Sequence, residues 1–205
     1  MIWKFTDNKS RDSIEQQFDW ARNMNEVPQD KLYHAEGNVA VHTWKVIEEL
    51  QQLPAYSDLG GQDKEILWTA ALLHDVEKRS ATVVESDGRI TARGHARKGE
   101  YTVRTLLYRD LPTPFAIREK IASLVRFHGL PLWLMEKTDP VRKIAEVAFR
   151  LDTSQLRMLA EADIRGRICQ DREELLESLD LFELFCREQG CWKKSREFTT
   201  DLSLI

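Results

Sequence analysis

The five histidines of this 205-residue chain are its residues best suited to chemistry. His42 lies in the apolar stretch VAVHTWKVI, and the doublet His74-Asp75 follows the hydrophobic run ILWTAALL. A histidine and a carboxylate cannot both be buried there without partners, because an unpaired buried charge is too costly. A divalent metal ion satisfies both groups, since imidazole nitrogen and carboxylate oxygen are ligands of Mn, Fe, Co, Ni and Zn. For the doublet alone, a structural alternative is a capping carboxylate beside a hydrogen-bonded histidine.

The wider order of potential ligands favours the metal. The chain presents, in sequence, His42, His74-Asp75, Gly94-His95, His128, and Asp163 in the segment EADIRGR. This order resembles the HD superfamily of metal-dependent phosphohydrolases, whose signature is a His, a His-Asp doublet and a late Asp on an all-helical scaffold. The segment HDVEK is close to the family's HD-x-x-K form, although Glu77 stands where a glycine is usual. The resemblance covers roughly residues 34–170.

The resemblance implies a first metal site with four ligands: His42, His74, Asp75 and Asp163. It also implies a bridging role for Asp75, which would reach a second ion held by His95 and His128. We therefore expect one or two divalent ions, with Mn, Ni, Co, Fe or Zn favoured over Mg. Such ions lower the pKa of water from about 15.7 toward about 7, so a hydroxide can attack phosphorus at neutral pH.

Basic residues near these ligands are candidates for binding a phosphate. Lys78 lies one turn after Asp75, and the resemblance to HD-x-x-K implies a catalytic or phosphate-binding role for it. Arg165 and Arg167 follow Asp163 by two and four residues. A guanidinium binds phosphate through two parallel hydrogen bonds. We expect one arginine to reach the site while the other pairs with a nearby carboxylate, and we assign the catalytic, substrate-binding role to Arg165.

Other residues near the predicted ligands leave two interpretations open. Three cations surround His95 in the sequence, Arg93, Arg97 and Lys98. The three are expected to bind a polynucleotide backbone, with Arg93 and Lys98 assigned as substrate contacts, although a solvated face explains the cluster almost as well. For His34 and Glu36, a surface or capping role is favoured over a substrate contact. For Trp133, packing is favoured over stacking on a base.

A narrower resemblance suggests the substrate. The segments HAEGNVAVHTW, AALLHDVEKR and EADIRGRICQD are similar to the N-terminal module of bacterial proteins that join an HD phosphoesterase to a P-loop polynucleotide kinase. The HD region of bacterial CCA-adding enzymes shares the EAD-x-RGR element. The resemblance implies hydrolysis of a 2′,3′-cyclic or terminal phosphate at an RNA end. Because the sequence contains no GxxxxGK[ST] motif, a P-loop kinase would be a partner in cis or in trans.

Two other functions remain open. The first is a 5′-nucleotidase that acts on free mononucleotides. The second is a non-catalytic HD module that binds a nucleotide, although such a module would be expected to have lost ligands.

The spacing of apolar residues predicts a helical scaffold. Apolar positions recur every three or four residues, which is the helical period. Helices are predicted near residues 11–24, 36–53, 62–75, 95–109, 114–128, 140–150, 153–166 and 171–188. The sequence TVVESDGRIT predicts a small β-hairpin near residues 82–91. The predicted fold is therefore all-α, an HD helical bundle with one hairpin, with a single domain at residues 1–190 and an irregular tail or linker at residues 191–205.

Composition excludes several classes of protein. Thirty basic and 34 acidic residues give a formal charge of −4, so broad non-specific binding to nucleic acid is not expected. No run of 18 apolar residues is present, so no membrane contact is expected. The N-terminus lacks the features of a secretory signal, and the three cysteines form no CxxC pair. These features predict a cytoplasmic protein.

Overall fold

The computed structural model describes residues 2–193, and their architecture is a helical bundle with one small hairpin. The helices are α1 (Arg11–Gln17), α2 (Asp19–Asn23), α3 (Val39–Gln52), α4 (Pro54–Ser57), α5 (Gly61–Leu73), α6 (Lys78–Ala81), α7 (His95–Arg109), α8 (Phe115–Phe127), α9 (Leu130–Trp133), α10 (Pro140–Arg150), α11 (Thr153–Gly166) and α12 (Arg172–Glu188), with a 3₁₀ turn at Met24–Glu26. Strands β1 (Val83–Val84) and β2 (Ile90–Thr91) pair antiparallel, with Val84 opposite Ile90. The prediction of an all-α fold with a hairpin near 82–91 is confirmed.

Helix α5 runs through the centre of the bundle. Every residue from Ile66 to Leu73 is buried, so this helix is apolar all round. It packs against α3, α8 and α11, and their inward faces form one continuous core. Burial on all sides also places the end of α5 inside the protein. The polar residues His74 and Asp75 are therefore carried into the core, where each is only 1% exposed.

The predicted helices agree with the observed ones except near the N-terminus and at helix ends. The single helix predicted at residues 11–24 is wrong, because Phe18 is extended (φ −127°, ψ 110°) and separates α1 from α2. The break places the Phe18 ring 5.3 Å from that of Phe5 and 5.5 Å from that of Trp20. The helix predicted from residue 36 begins at Val39, because the Asn38 side chain accepts a hydrogen bond from the Val41 amide and caps it.

Most of the tail predicted at residues 191–205 lies outside the described residues. Its first part packs on the bundle: the Cys191 amide donates to the Cys186 carbonyl at 2.7 Å, and Thr153 Oγ1 donates to the Cys191 carbonyl at 2.9 Å. The single-domain boundary at residue 190 stays a prediction. Among the described residues, no helix is long and apolar enough to cross a membrane.

Two helices that carry site residues cross at a glycine. A Cβ atom on Gly166 of α11 would lie 2.9 Å from the Val46 Cγ2 atom and 3.0 Å from the Val46 amide nitrogen on α3. Because backbone atoms cannot rotate away, any side chain here forces the two helices apart. The glycine of the EADIRGR segment thus sets the spacing between His42 on α3 and Asp163 on α11.

Gly166→Ala is therefore expected to lower the free energy of unfolding by about 3 kcal/mol, the upper end of typical overpacking costs. Urea unfolding followed by circular dichroism measures this loss. Gly60→Ala is the matched control, because Gly60 has φ −63° and no atom within 4 Å of its added Cβ. The control should stay within about 1 kcal/mol of the wild type, and equal losses in both variants would contradict the close crossing.

Candidate metal centre

The structure brings all six predicted ligands into one cluster at one end of the core. His42 lies within α3 and Asp163 within α11. His74 and Asp75 follow α5, His95 begins α7 and His128 follows α8. Five of the six are buried, and His95 is partly exposed. The cluster lies where the carboxyl ends of α5 and α8 meet. Because helix dipoles place partial negative charge at these ends, the position favours a cation.

The Asp75 carboxylate divides the cluster into two halves. Its Oδ2 atom lies 3.2 Å from His74 Nε2 and 3.7 Å from His42 Nε2. Its Oδ1 atom lies 3.2 Å from His95 Nε2 and 3.8 Å from His128 Nε2. One carboxylate thus presents a different oxygen to each pair of histidines.

Each half has further contacts of its own. In the first half-site (His42, His74, Asp75 and Asp163), Asp163 Oδ1 lies 3.1 Å from His42 Nε2, and the Nε2 atoms of His42 and His74 are 3.4 Å apart. In the second half-site (Asp75, His95 and His128), the two Nε2 atoms are also 3.4 Å apart. Two ligands that share one ion at about 2.1 Å would be about 3.0–3.4 Å apart. The spacing of the donor atoms therefore fits a metal in each half.

The backbone fixes which ring nitrogen faces the centre. Three histidines donate their Nδ1–H to the carbonyl three residues earlier: His74 to Ala71 at 2.7 Å, His95 to Ala92 at 2.7 Å and His128 to Val125 at 2.8 Å. A neutral imidazole with a proton on Nδ1 has its lone pair on Nε2. The three Nε2 atoms are therefore turned inward as acceptors, as metal ligation requires.

A buried carboxylate performs the same task for His42. Glu36 Oε1 lies 2.9 Å from His42 Nδ1 and 2.8 Å from His34 Nδ1, and Glu36 Oε2 accepts a hydrogen bond from the Ile168 amide at 2.8 Å. Burial raises the pKa of the Glu36 carboxyl, but the contacts with His34 and His42 outweigh it and lower the pKa below its ordinary value. Glu36 therefore stays ionised and orients His42.

Two buried, ionised carboxylates make the cluster suited to a cation. Burial raises the pKa of Asp75, but the charges of His74 and Lys78 outweigh it and hold that pKa well below the usual value. Burial likewise raises the pKa of Asp163, and Arg167 with His42 lowers it further than burial raises it. The buried Asp75 Oδ1 atom has no hydrogen-bond partner among the described residues. An ionised, unpaired oxygen facing two imidazole lone pairs is stable only beside a positive charge.

The pKa values of two histidines in the cluster are shifted in opposite directions. Burial lowers the pKa of His128 to about 3, and the charges of His74 and His95 lower it too, so His128 is neutral at cellular pH. Burial also lowers the pKa of His74, but the Asp75 carboxylate outweighs it and raises the pKa above the ordinary value. A proton on His74 and a metal ion would thus neutralise the same negative charge. The donor set of imidazole nitrogen and carboxylate oxygen fits Mn, Fe, Co, Ni or Zn.

Two cations adjoin the carboxylates. Lys78 Nζ lies 2.8 Å from Asp75 Oδ2 and donates to Gln29 Oε1 at 2.7 Å. Arg167 binds Asp163 with two nitrogens, at 2.6 and 3.1 Å. Both side chains also line a cavity of about 470 Å³ that reaches His95, the first cavity. Each has spare N–H donors that can meet an anion in this cavity.

The structure places the two arginines of the EADIRGR segment differently. Arg165 donates to Glu161 from two nitrogens, at 2.7 and 2.9 Å, on the outer face of α11. Its side chain is 42% exposed, whereas that of Arg167 is 16% exposed. Two residues correspond to about 200° around a helix, so only one of the pair can face the cluster. Arg167 lines the first cavity and Arg165 does not, so the role assigned to Arg165 stays a prediction that its placement does not favour.

Two other residues predicted to contact the substrate lie away from the cavities. Arg93 and Lys98 are exposed and are not among the residues that line either cavity beside His95. Lys98 Nζ instead donates to the Ser80 carbonyl at 3.4 Å.

Trp133, expected to pack in the core, is 46% exposed and lines the first cavity and a second cavity of about 610 Å³. The second cavity is also lined by His95 and His128.

Comparison with known proteins agrees with this geometry. The model of a family described as "HD domain" matches residues 39–163, a span that contains helices α3 to α10 and all six residues of the cluster. A multifunctional CCA protein from Nitrosococcus oceani is 29% identical over 152 residues, which are 69% of this chain and 33% of that protein. The chain thus spans about a third of the length of this curated relative. The resemblance to kinase-fused HD proteins stays a prediction.

The bridging position of Asp75 predicts how metal content divides between the half-sites. Asp75→Asn is expected to lose metal from both half-sites and to abolish hydrolysis, because each half-site uses one of its oxygens. Elemental analysis after loading with Mn²⁺ or Ni²⁺ measures the stoichiometry. His128→Ala should lose metal only from the second half-site. Equal stoichiometry in the two variants would contradict a shared carboxylate.

The contact between Glu36 and His42 predicts an effect on affinity without direct ligation. Glu36→Gln is expected to weaken binding of a metal to the first half-site about 10–100-fold, the usual cost of losing a partner that orients a ligand. Calorimetric titration with Mn²⁺ measures it. Glu48→Gln is the matched control, because Glu48 is exposed on the same helix as His42. Unchanged affinity in Glu36→Gln would show that the backbone alone orients His42.

Proposed function

This chain belongs to the HD domain family, whose members are metal-dependent phosphohydrolases, and we propose that it hydrolyses the 2′,3′-cyclic or terminal phosphate at RNA ends. The observation that carries the proposal is the Asp75 carboxylate, whose two oxygens face two histidine pairs beside a cavity lined by Lys78 and Arg167. This arrangement supports an attack on a phosphoester whose negative charge is neutralised on several sides.

The proposed chemistry divides between the metal and the chain. When bound, divalent ions neutralise charge on phosphoryl oxygens and lower the pKa of water toward about 7. Asp75 and Asp163 stay ionised and balance the charge of such ions, while His128 stays neutral as a ligand. Lys78 and Arg167 hold these carboxylates and line the first cavity, where their remaining N–H groups would bind the phosphate.

The first cavity supports a nucleotide as the substrate. Its volume of about 470 Å³ lies in the range of small-ligand pockets, about 300–1,000 Å³. Part of its lining is apolar or aromatic, including Tyr33, Ile90 and Trp133, which suits a base and a ribose. A 2′,3′-cyclic phosphate is a diester on the terminal ribose, so a single nucleotide has to enter. The similarity to a multifunctional CCA protein is in line with this substrate class.

The proposal is tested by comparing phosphoesters under several metals. A short RNA that ends in a 2′,3′-cyclic phosphate is expected to turn over faster than 5′-mononucleotides, with Mn²⁺, Ni²⁺, Co²⁺, Zn²⁺ and Mg²⁺ supplied in turn. Release of phosphate and the change in RNA end group are the measurements. Faster turnover of 5′-mononucleotides under every metal would favour a 5′-nucleotidase. No turnover of any phosphoester would leave a nucleotide-binding module.

The different positions of the two arginines provide a matched pair of variants. Arg167→Lys keeps the positive charge beside Asp163 but loses the planar two-nitrogen contact, so kcat/KM is expected to fall about 10–100-fold. Arg165→Lys makes the same change on the exposed face and should stay within about twofold of the wild type. Steady-state kinetics on the preferred phosphoester gives both values. A larger loss in Arg165→Lys would place the phosphate on the other side of α11.

A further inference from the structure

The second cavity is a basic groove that opens beside the second half-site. It is lined by His95, His128 and Trp133 and by four cations from three regions of the chain: Arg97, Arg126, Lys137 and Lys143. No aspartate or glutamate is among its lining residues in the part of the chain that the structure describes. This concentration of positive charge contrasts with the formal charge of −4 of the whole chain.

Two of the four cations lie over the same aromatic ring. The Arg126 guanidinium lies 5.5 Å and the Lys143 ammonium 5.1 Å from the centre of the buried Phe127 ring. Lys143 also pairs with Glu146 at 2.8 Å. Phe127 precedes His128, so the residue that positions these cations is adjacent to a predicted metal ligand. The same segment, Phe127-His128, therefore contacts two cations of the groove and contributes to the second half-site.

Acidic residues nearby neutralise the groove only in part, because Lys143 and Arg126 have ion pairs and the other two cations have none among the described residues. Arg126 Nε lies 3.4 Å from Glu100 Oε2, but Glu100 is also bound by Arg104 at 2.9 Å and by Arg150 at 2.5 Å. One carboxylate thus meets three guanidinium groups. Arg97 and Lys137 have no ion pair within residues 2–193. Unpaired, exposed cations can bind an anion without first breaking an existing contact.

The groove and the first cavity meet at the metal centre. His95 and the half-exposed Trp133 line both of them. A nucleotide in the first cavity with its 2′,3′-phosphate at the half-sites would direct its 5′-phosphate out of the site. The groove supplies the cations that this phosphate and the preceding ones require, and the Trp133 ring offers a surface on which a base can stack.

We infer that this groove binds the phosphodiester backbone of the RNA strand on the 5′ side of the terminal nucleotide. The inference rests on the proposed function, because it names the substrate of the same site as a polynucleotide end and not as a free nucleotide. It keeps Arg97 from the cations expected to contact the strand and replaces Arg93 and Lys98 by Lys137.

The test compares substrates of two lengths in a double variant. Arg97→Ala/Lys137→Ala is expected to lower kcat/KM for a hexanucleotide ending in 2′,3′-cyclic phosphate at least 10-fold. For a 2′,3′-cyclic mononucleotide, which does not reach the groove, kcat/KM should change less than twofold. Lys64→Ala/Arg187→Ala is the control, because it removes the same two residue types from α5 and α12, outside the groove.

A binding measurement adds a readout that does not depend on turnover. Fluorescence anisotropy of a labelled hexanucleotide with a 3′-phosphate gives the affinity at a series of salt concentrations. The slope of log K against log salt changes by about 0.7 per phosphate contact for a single strand, so the double variant should reduce it by about 1.4. The control pair should leave the slope unchanged.

The outcomes separate the two proposals. If the wild type hydrolyses cyclic mononucleotide and hexanucleotide equally well, and the salt slope is the same in the double variant, the groove inference is overturned while the proposed function stands. A loss in Arg93→Ala/Lys98→Ala that is absent from Arg97→Ala/Lys137→Ala also overturns it. If no cyclic phosphate is hydrolysed but the salt slope falls as expected, the proposed reaction fails and the strand-binding groove is supported.

Discussion

The structure depends on one unfavourable placement, an ionised carboxylate at the buried end of an apolar helix. Helix α5 is buried on every side, so Asp75 is 1% exposed where the helix ends. Lys78 contacts one of its oxygens at 2.8 Å, whereas the other has no hydrogen-bond partner among the described residues. Such a group is costly without a partner charge. Four histidines surround this carboxylate. The backbone holds three of them with the Nε2 lone pair turned inward, so they are better placed to bind a metal ion than to donate hydrogen bonds to Asp75.

The remaining parts of the bundle keep this carboxylate and its ligands in register. Gly166 allows α3 and α11 to approach so closely that His42 and Asp163 lie 3.1 Å apart. Helix α8 ends where His128 can face Asp75, and α7 begins at His95 after Gly94 adopts a positive φ of 78°. Each contact is made at a helix end or a helix crossing. The geometry of the site is therefore a consequence of where helices stop as much as of which residues they contain.

The sequence predicted which residues cluster and where most helices lie, but not the side chains that contact the cluster from outside. Apolar periodicity located the long helices because burial on one face imposes it, and the order of histidines and aspartates indicated the cluster. The break at Phe18 was missed because apolar spacing alone does not show the ring contact with Phe5, 13 positions earlier, that accompanies it. Arg165 was preferred to Arg167 because spacing from Asp163 does not tell which face of α11 is inward. Counting 100° per residue from the buried Asp163 would have favoured Arg167, four residues on.

Glu36 shows a different limit, because its role becomes visible only when three segments meet. Its carboxylate joins His34, His42 and the Ile168 amide, which is 132 residues away in the chain. The groove has the same character: its cations come from α7, α8 and the segments around α9 and α10, and only the fold places them beside one another. The residues of the metal cluster also come from distant segments, but their types and their order along the chain match a recognisable pattern. A surface that binds an extended strand is assembled from distant segments, so its charge pattern emerges from tertiary packing around Phe127 and not from any single run of residues.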